Sequence, residues 1–145
     1  MKRVFTLFAL IGITFLAGGC QVGQDNNVGL LQVGEEATVP QTKADEAKQI
    51  TLSMDEVIEV KGVQHDKDIY IVPRVKQFDR FRLNGIRKEA HDHIKKRYPE
   101  ANVHVSTDKK IFMEFEKLEQ QLIKNQISEK ELKDKVKDLE DKMKG

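Results

Sequence analysis

Ile58-Glu59-Val60-Lys61-Gly62-Val63-Gln64-His65-Asp66-Lys67-Asp68-Ile69-Tyr70-Ile71-Val72-Pro73-Arg74-Val75-Lys76 is the stretch on which the fold reading turns. Residues 58–63 carry a β pattern, residues 64–67 are turn-forming, and in residues 68–76 Ile69, Ile71 and Val75 alternate with Tyr70, Val72 and Arg74. Two β-patterned runs this close in sequence pair as a hairpin. Pro73 has no N–H to give to a ladder, so the second strand is expected at a sheet edge or with a bulge there.

Helical signals flank the hairpin. Upstream, Thr42 with Asp45 forms a weak capping box, and Ala47, Ile50, Met54 and Val57 follow at helical spacing. Downstream, residues 79–98 form a second helix with Leu83, Ile86, Ala90 and Ile94 as its buried stripe. Gly85 weakens its start by about 1 kcal/mol relative to Ala, and Pro99 stops it. Val103 and Val105 supply a short third strand. The order α-β-β-α-β predicts a two-layer α+β domain over residues 44–110, with both helices on one sheet face. That order is similar to BON domains, a fold-level analogy only.

Beyond it, residues 111–145 form a charged helical segment. Ile111, Phe115, Leu118 and Leu122, then Leu132, Val136, Leu139 and Met143, alternate spacings of four and three. Asn125 and Glu129 interrupt the stripe, and Ser128 with Glu131 makes a capping box. The expectation is a first helix packed on the domain and a second, from Glu129, projecting from it. The projecting helix either is solvated or offers its stripe to a partner or a second copy.

The N-terminus reads as an address. Lys2 and Arg3 precede an apolar run over residues 4–17, which is shorter than the roughly 20 residues a membrane span needs. The run ends in Leu16-Ala17-Gly18-Gly19-Cys20, the pattern of a bacterial lipobox. Residues 1–19 are then a signal peptide, Cys20 is the lipidated residue, and the protein is held on the extracytoplasmic face of a membrane by acyl chains. Residues 20–43, with Gly23, Gly29, Gly34 and Pro40, read as a flexible tether. Val28, Leu30, Leu31 and Val33 are the alternative there, a short strand.

Several strings, taken together, resemble the sporulation lipoprotein family YhcN/YlaJ. They are Ala44-Asp45-Glu46-Ala47-Lys48, Asp68-Ile69-Tyr70-Ile71, Val75-Lys76-Gln77-Phe78-Asp79-Arg80-Phe81-Arg82, Arg97-Tyr98-Pro99 and His104-Val105-Ser106-Thr107-Asp108. The resemblance implies a small lipoprotein of endospore-forming Gram-positive bacteria. Such a protein is made in the forespore, kept at the spore inner membrane, and acts in germination or outgrowth. It implies no catalytic residues.

Composition narrows the chemistry. With 25 Lys+Arg against 24 Asp+Glu, the net charge of +1 does not suit a uniformly basic nucleic-acid binder. One Cys excludes a disulfide framework and multi-cysteine metal sites. His91 and His93, two apart on a helix, point to different faces. Ser106, Thr107 and Asp108 read as a helix cap ahead of Lys109. No cofactor or metal is expected, and the protein is read as a non-enzyme. The runner-up is an accessory lipoprotein for a cell-wall enzyme.

One constellation suggests binding: Lys76, Phe78, Arg80 and Arg82, with Arg74 and Phe81 beside them. Cations interleaved with aromatics suit an anionic lipid surface or cell-wall polymer. The competing reading puts Phe78 and Phe81 in the core. A small core without Trp needs its aromatics, and that favours the core.

Overall fold

The computed structural model describes residues 29–144. The expected signal peptide, Cys20 and the first part of the expected tether lie outside them. The fold is mixed α+β: α1 (Thr42–Leu52), β1 (Val57–His65), β2 (Asp68–Val75), a 3-10 helix (Gln77–Arg82), α2 (Leu83–Arg97), β3 (Asn102–Val105), α3 (Lys109–Ile123) and α4 (Glu129–Lys144). The three-stranded sheet has the order β1-β2-β3. β1 and β2 form the antiparallel hairpin, and β3 returns through α2 to lie parallel to β2.

Both faces of the sheet are covered. Val60, Ile69 and Ile71 pack with Ala47 of α1 and with Ile86, Ala90 and Ile94 of α2. Val63, Tyr70 and Val72 pack on the opposite side with Phe115, Leu118 and Leu122 of α3 and Leu132, Val136 and Leu139 of α4. The two helices of the expected two-layer unit, α1 and α2, do share one sheet face, and α3 and α4 add a third layer on the other. The cause lies in β2, whose Ile69-Tyr70-Ile71-Val72 run is apolar at both parities and buried throughout. A strand apolar on both faces needs both covered. For the same reason α4 does not project: its stripe closes the second cluster.

Pro73 lies in the central strand rather than at an edge. The Val60 N–H points away from β2, donating to the Gly29 carbonyl at 2.9 Å. Val60 and Pro73 are thus a non-hydrogen-bonded pair, and the Pro73 nitrogen faces the β3 side. There β3 has already ended, at Val105 opposite Ile71, so no ladder bond is lost. The register slips nearby, between Val57 and Glu59.

The caps are local and mostly as expected. The Asp108 carboxylate accepts from the N–H groups of Lys110 (2.7 Å) and Ile111 (3.0 Å). Ser128 and Glu131 form the reciprocal box: Ser128 N donates to Glu131 Oε2 at 2.9 Å, and Glu131 N to Ser128 Oγ at 3.3 Å. Asn125, at φ 51°, takes the left-handed conformation that ends α3. The Thr42 box does not form. Gln41 holds the N-cap position without a side-chain cap, and the buried Asp45 instead accepts from the N–H groups of Val33 and Gly34.

That carboxylate belongs to a larger correction. From Gly29 onward the expected tether is packed on the domain, along the free edge of β1. Leu30 bridges Val60 in parallel. Gly29 approaches so closely that a Cβ there would collide with the Ile58 carbonyl. Gln41 is fully buried and imitates a neighbouring peptide. Its Oε1 accepts from Gln64 N (2.8 Å), and its Nε2 donates to Gln64 O (3.0 Å). An edge strand needs such cover, because its unpaired backbone groups otherwise recruit foreign strands.

Candidate functional site

β2 leaves the sheet at Val75 and the chain turns through the 3-10 helix before α2 begins. A 3-10 helix has about three residues per turn, so residues three apart share a side. Three sides follow. Asp79 and Arg82 face back toward the domain, where Arg82 pairs with Glu56 at 3.1 Å and Asp79 at 3.8 Å. Arg80 and the following Leu83 line a groove. Phe78 and Phe81 face solvent, 92% and 97% exposed.

These exposures overturn the reading that placed both rings in the core. The 3-10 helix buries none of its residues. Met54, Val57 and Ile86 are buried in the α1–α2 cluster, with Val75 packed against it, and neither ring belongs to that cluster. Exposing two phenylalanines to water forgoes roughly 1.5–3 kcal/mol each. Lys76 and Arg80 are exposed and carry no ion pair among the described residues. Of the four sequence-nominated positions, Lys76, Phe78 and Arg80 are therefore free, while Arg82 is partly neutralised. The wider positive surface is also partly used: Arg74 pairs with Glu59 and Arg97 with Glu46 (2.7 Å), and Arg87 donates to Thr107 Oγ1 at 2.9 Å.

The groove beside this loop is invisible in the sequence, because it joins three elements. Pro73 and Val75 of β2, Leu83 of α2 and Phe112 and Met113 of α3 give it apolar walls, and Arg74, Arg80 and Lys109 stand at its margin. Its volume is about 480 Å³, within the roughly 300–1,000 Å³ of small-molecule pockets. Met113 is 57% exposed.

A second constellation lies at the β1 edge, with Lys48 and Glu119 fully buried at its centre. The Lys48 ammonium of α1 meets Asp45 at 2.9 Å, Glu119 Oε1 of α3 at 3.0 Å, and the Leu31 carbonyl. Glu119 Oε1 also accepts from Gly62 N at 2.8 Å, while its Oε2 has no hydrogen-bond partner and lies 3.9 Å from Lys61 Nζ. Lys61 in turn contacts Glu59 and Glu116. One signal hinted at this cluster: Glu119 follows Phe115 by four residues, which sets a carboxylate on an apolar helix face. The arrangement clamps α1, α3, β1 and the 29–34 segment together.

Burial pushes the Glu119 carboxyl above its usual value of 4.5, against the opposing pull of Lys48, the Gly62 N–H and Lys61. With the folded value above the unfolded one, folding favours the neutral acid. Its contribution is complete below pH 4.5 and fades as pH rises through the folded value. Acidification from neutral pH to pH 4.5 should therefore stabilise the native chain relative to Glu119→Gln. Thermal melts of both at the two pH values check this, and a constant gap between them would contradict it.

The histidines take separate roles. His104 stacks on Tyr70 with centroids 4.6 Å apart and lies 3.0 Å from Asp68 Oδ1. His65 lies with Asp66 and Glu129, their ligand atoms all within 4.8 Å of one another. Among the described residues no helix is long and apolar enough to cross a membrane. Comparison of the chain with family models, curated proteins and solved structures finds no match.

Proposed function

We propose that this is a lipid-anchored, non-enzymatic module of the spore envelope that lays its 77–82 loop on an anionic membrane surface and acts in germination or outgrowth. The observation that carries the docking role is the nearly complete exposure of Phe78 and Phe81 on one side of a turn that also carries the unpaired cations Lys76 and Arg80. The lipobox ending at Cys20 and the strings similar to sporulation lipoproteins support the anchor and the compartment. On this reading residues 44–110 are a BON-like α-β-β-α-β domain, and residues 111–145 are its charged helical cover.

The physics is additive and weak. Aromatic rings settle at the apolar–polar boundary of a bilayer. Each cation near an anionic surface contributes about 1 kcal/mol, decaying within a Debye length of roughly 8–10 Å. An anchor in the same membrane raises the effective concentration, so contacts of this size suffice.

The test uses the mature chain with Cys20→Ser, which has no acyl chain. It should sediment with vesicles containing phosphatidylglycerol at low salt and less at high salt. Phe78→Ser combined with Phe81→Ser should lower that binding at least tenfold while changing stability by less than about 0.5 kcal/mol, as for other exposed substitutions. Lys76→Gln and Arg80→Gln should each weaken binding more than Arg82→Gln, whose charge Glu56 already holds. Absence of vesicle binding by the unmutated chain at low salt would end this reading.

A further inference from the structure

The geometry points to the groove between β2, α2 and α3 as a site for one anionic phospholipid molecule, an acyl chain lying on the apolar walls and the phosphate held between Arg80 and Lys109. The inference rests on the loop facing a membrane, and it adds a stoichiometric site to a diffuse contact.

Three observations select this occupant. The walls are apolar, built from Val75, Leu83, Phe112 and Met113, and the volume of about 480 Å³ suits a chain rather than a side chain. Of the three cations at the margin, Arg74 is engaged by Glu59 and lies over the Phe112 ring at 5.5 Å. Arg80 and Lys109 are exposed and have no ion-pair partner among the described residues. Asp108, the acid at the margin, turns one carboxylate oxygen, Oδ1, to the Lys110 and Ile111 N–H groups. An anion entering here therefore meets two free cations and a carboxylate with one oxygen turned to the helix.

The same charges argue against a second copy of the chain. Seating one copy's 77–82 loop in another's groove would bring Lys76 and Arg80 against Arg74 and Lys109. Continuity with the loop argues for a lipid over an acidic peptide. Arg80 belongs to both, so a bilayer can take the Phe78 and Phe81 rings at its interface while one of its lipids enters the groove.

Methionine methyl NMR on the Cys20→Ser mature chain reads the site directly. Met113 lines the groove, whereas Met54 is buried in the α1–α2 cluster and Met143, at the end of α4, packs against the α3–α4 cluster. Dihexanoyl-phosphatidylglycerol, below its micelle concentration, should shift the Met113 methyl saturably and leave the other two in place. Arg80→Glu with Lys109→Glu should weaken that binding at least tenfold, and unchanged Met54 and Met143 signals would show that the variant is folded. Dihexanoyl-phosphatidylcholine should bind at least fivefold more weakly, and glycerol phosphate should produce no shift.

Equal binding of the two lipids would overturn the phosphate assignment, and an equal shift with glycerol phosphate would overturn the acyl chain. A Glu-rich peptide that shifts Met113 at lower concentration than the lipid would reassign the groove to a protein. No saturable shift with the anionic lipid, from a chain that still sediments with vesicles, would remove the groove site and leave the loop reading standing. Loss of sedimentation alone would do the reverse.

Discussion

A chain ending at Ile127 is expected to be largely unfolded at room temperature. Periodicity alone suggests that residues 128–145 could be removed without harm, as a projecting helix. In the structure Leu132, Val136 and Leu139 are buried in one cluster with Phe115, Leu118, Leu122 and Tyr70. Glu140 accepts a hydrogen bond from the Tyr70 hydroxyl at 3.0 Å, and Lys135 donates to Gln121 at 2.8 Å. Returning three such side chains to water forfeits roughly 1.5–3 kcal/mol each, or about 5–9 kcal/mol. The uncovered faces of α3 and β2 add to that. Small domains hold only about 5–15 kcal/mol in total. Circular dichroism melts and NMR dispersion of the truncated chain measure the outcome. A cooperative melt within a few degrees of the intact chain would show that α4 is dispensable. Leu132→Ala gives the graded version, with an expected loss of about 2–5 kcal/mol.

Lys48→Met should cost about 3–5 kcal/mol, although Met matches the lysine stem in length. The substitution removes the cation and leaves its neighbours. Glu119, fully buried, then keeps only the Gly62 N–H and the more distant Lys61. Asp45 loses its partner at 2.9 Å, and the Leu31 carbonyl loses its donor. An uncompensated buried charge is far costlier than the pair is stabilising, because the pair already bears most of its own desolvation cost. The double variant Lys48→Met, Glu119→Leu should therefore recover much of the loss. Recovery stays incomplete, because Gly62 N–H and Leu31 O remain without partners. Urea unfolding of the three proteins decides it. A single variant within 1 kcal/mol of the native chain would mean that the cluster is not a clamp.

Both results bear on how the 77–82 loop is held. The loop buries none of its own residues, so its conformation is imposed from its two ends and from Arg82 on Glu56. Lys76 N donates to Glu56 O at 2.9 Å, which ties the loop entrance to the turn before β1. The loop exit is α2, fixed by Ile86, Ala90 and Ile94 in the core. The rings of Phe78 and Phe81 are thus presented by a scaffold that gains nothing from them, which is why their removal is expected to leave stability unchanged.

What the sequence determined by itself was local. Alternation and turn residues gave away the hairpin, because a strand's two faces are written at period two. The spacing of Ile86, Ala90 and Ile94 marked the buried stripe of α2, and Pro99 its end. Asp108 and the Ser128–Glu131 pair announced helix starts, because capping acts over three residues. The aromatic and basic residues of the 76–82 stretch were legible as a composition. Tertiary structure alone decided where these parts face. The stripe of α4 reads the same whether it covers a core or awaits a partner, and the second apolar face of β2 settles the matter by needing cover. Phe78 and Phe81 looked like core residues because the chain has no Trp, yet the α1–α2 cluster is built from Met54, Val57, Ile86 and their aliphatic neighbours and takes neither ring. Lys48 and Glu119 lie 71 residues apart, and no periodicity connects them. Residues 29–41 looked like a tether by composition. They became part of the fold because the outer edge of β1 has backbone groups that must find partners, and Gly29, Gln41 and Glu119 supply them.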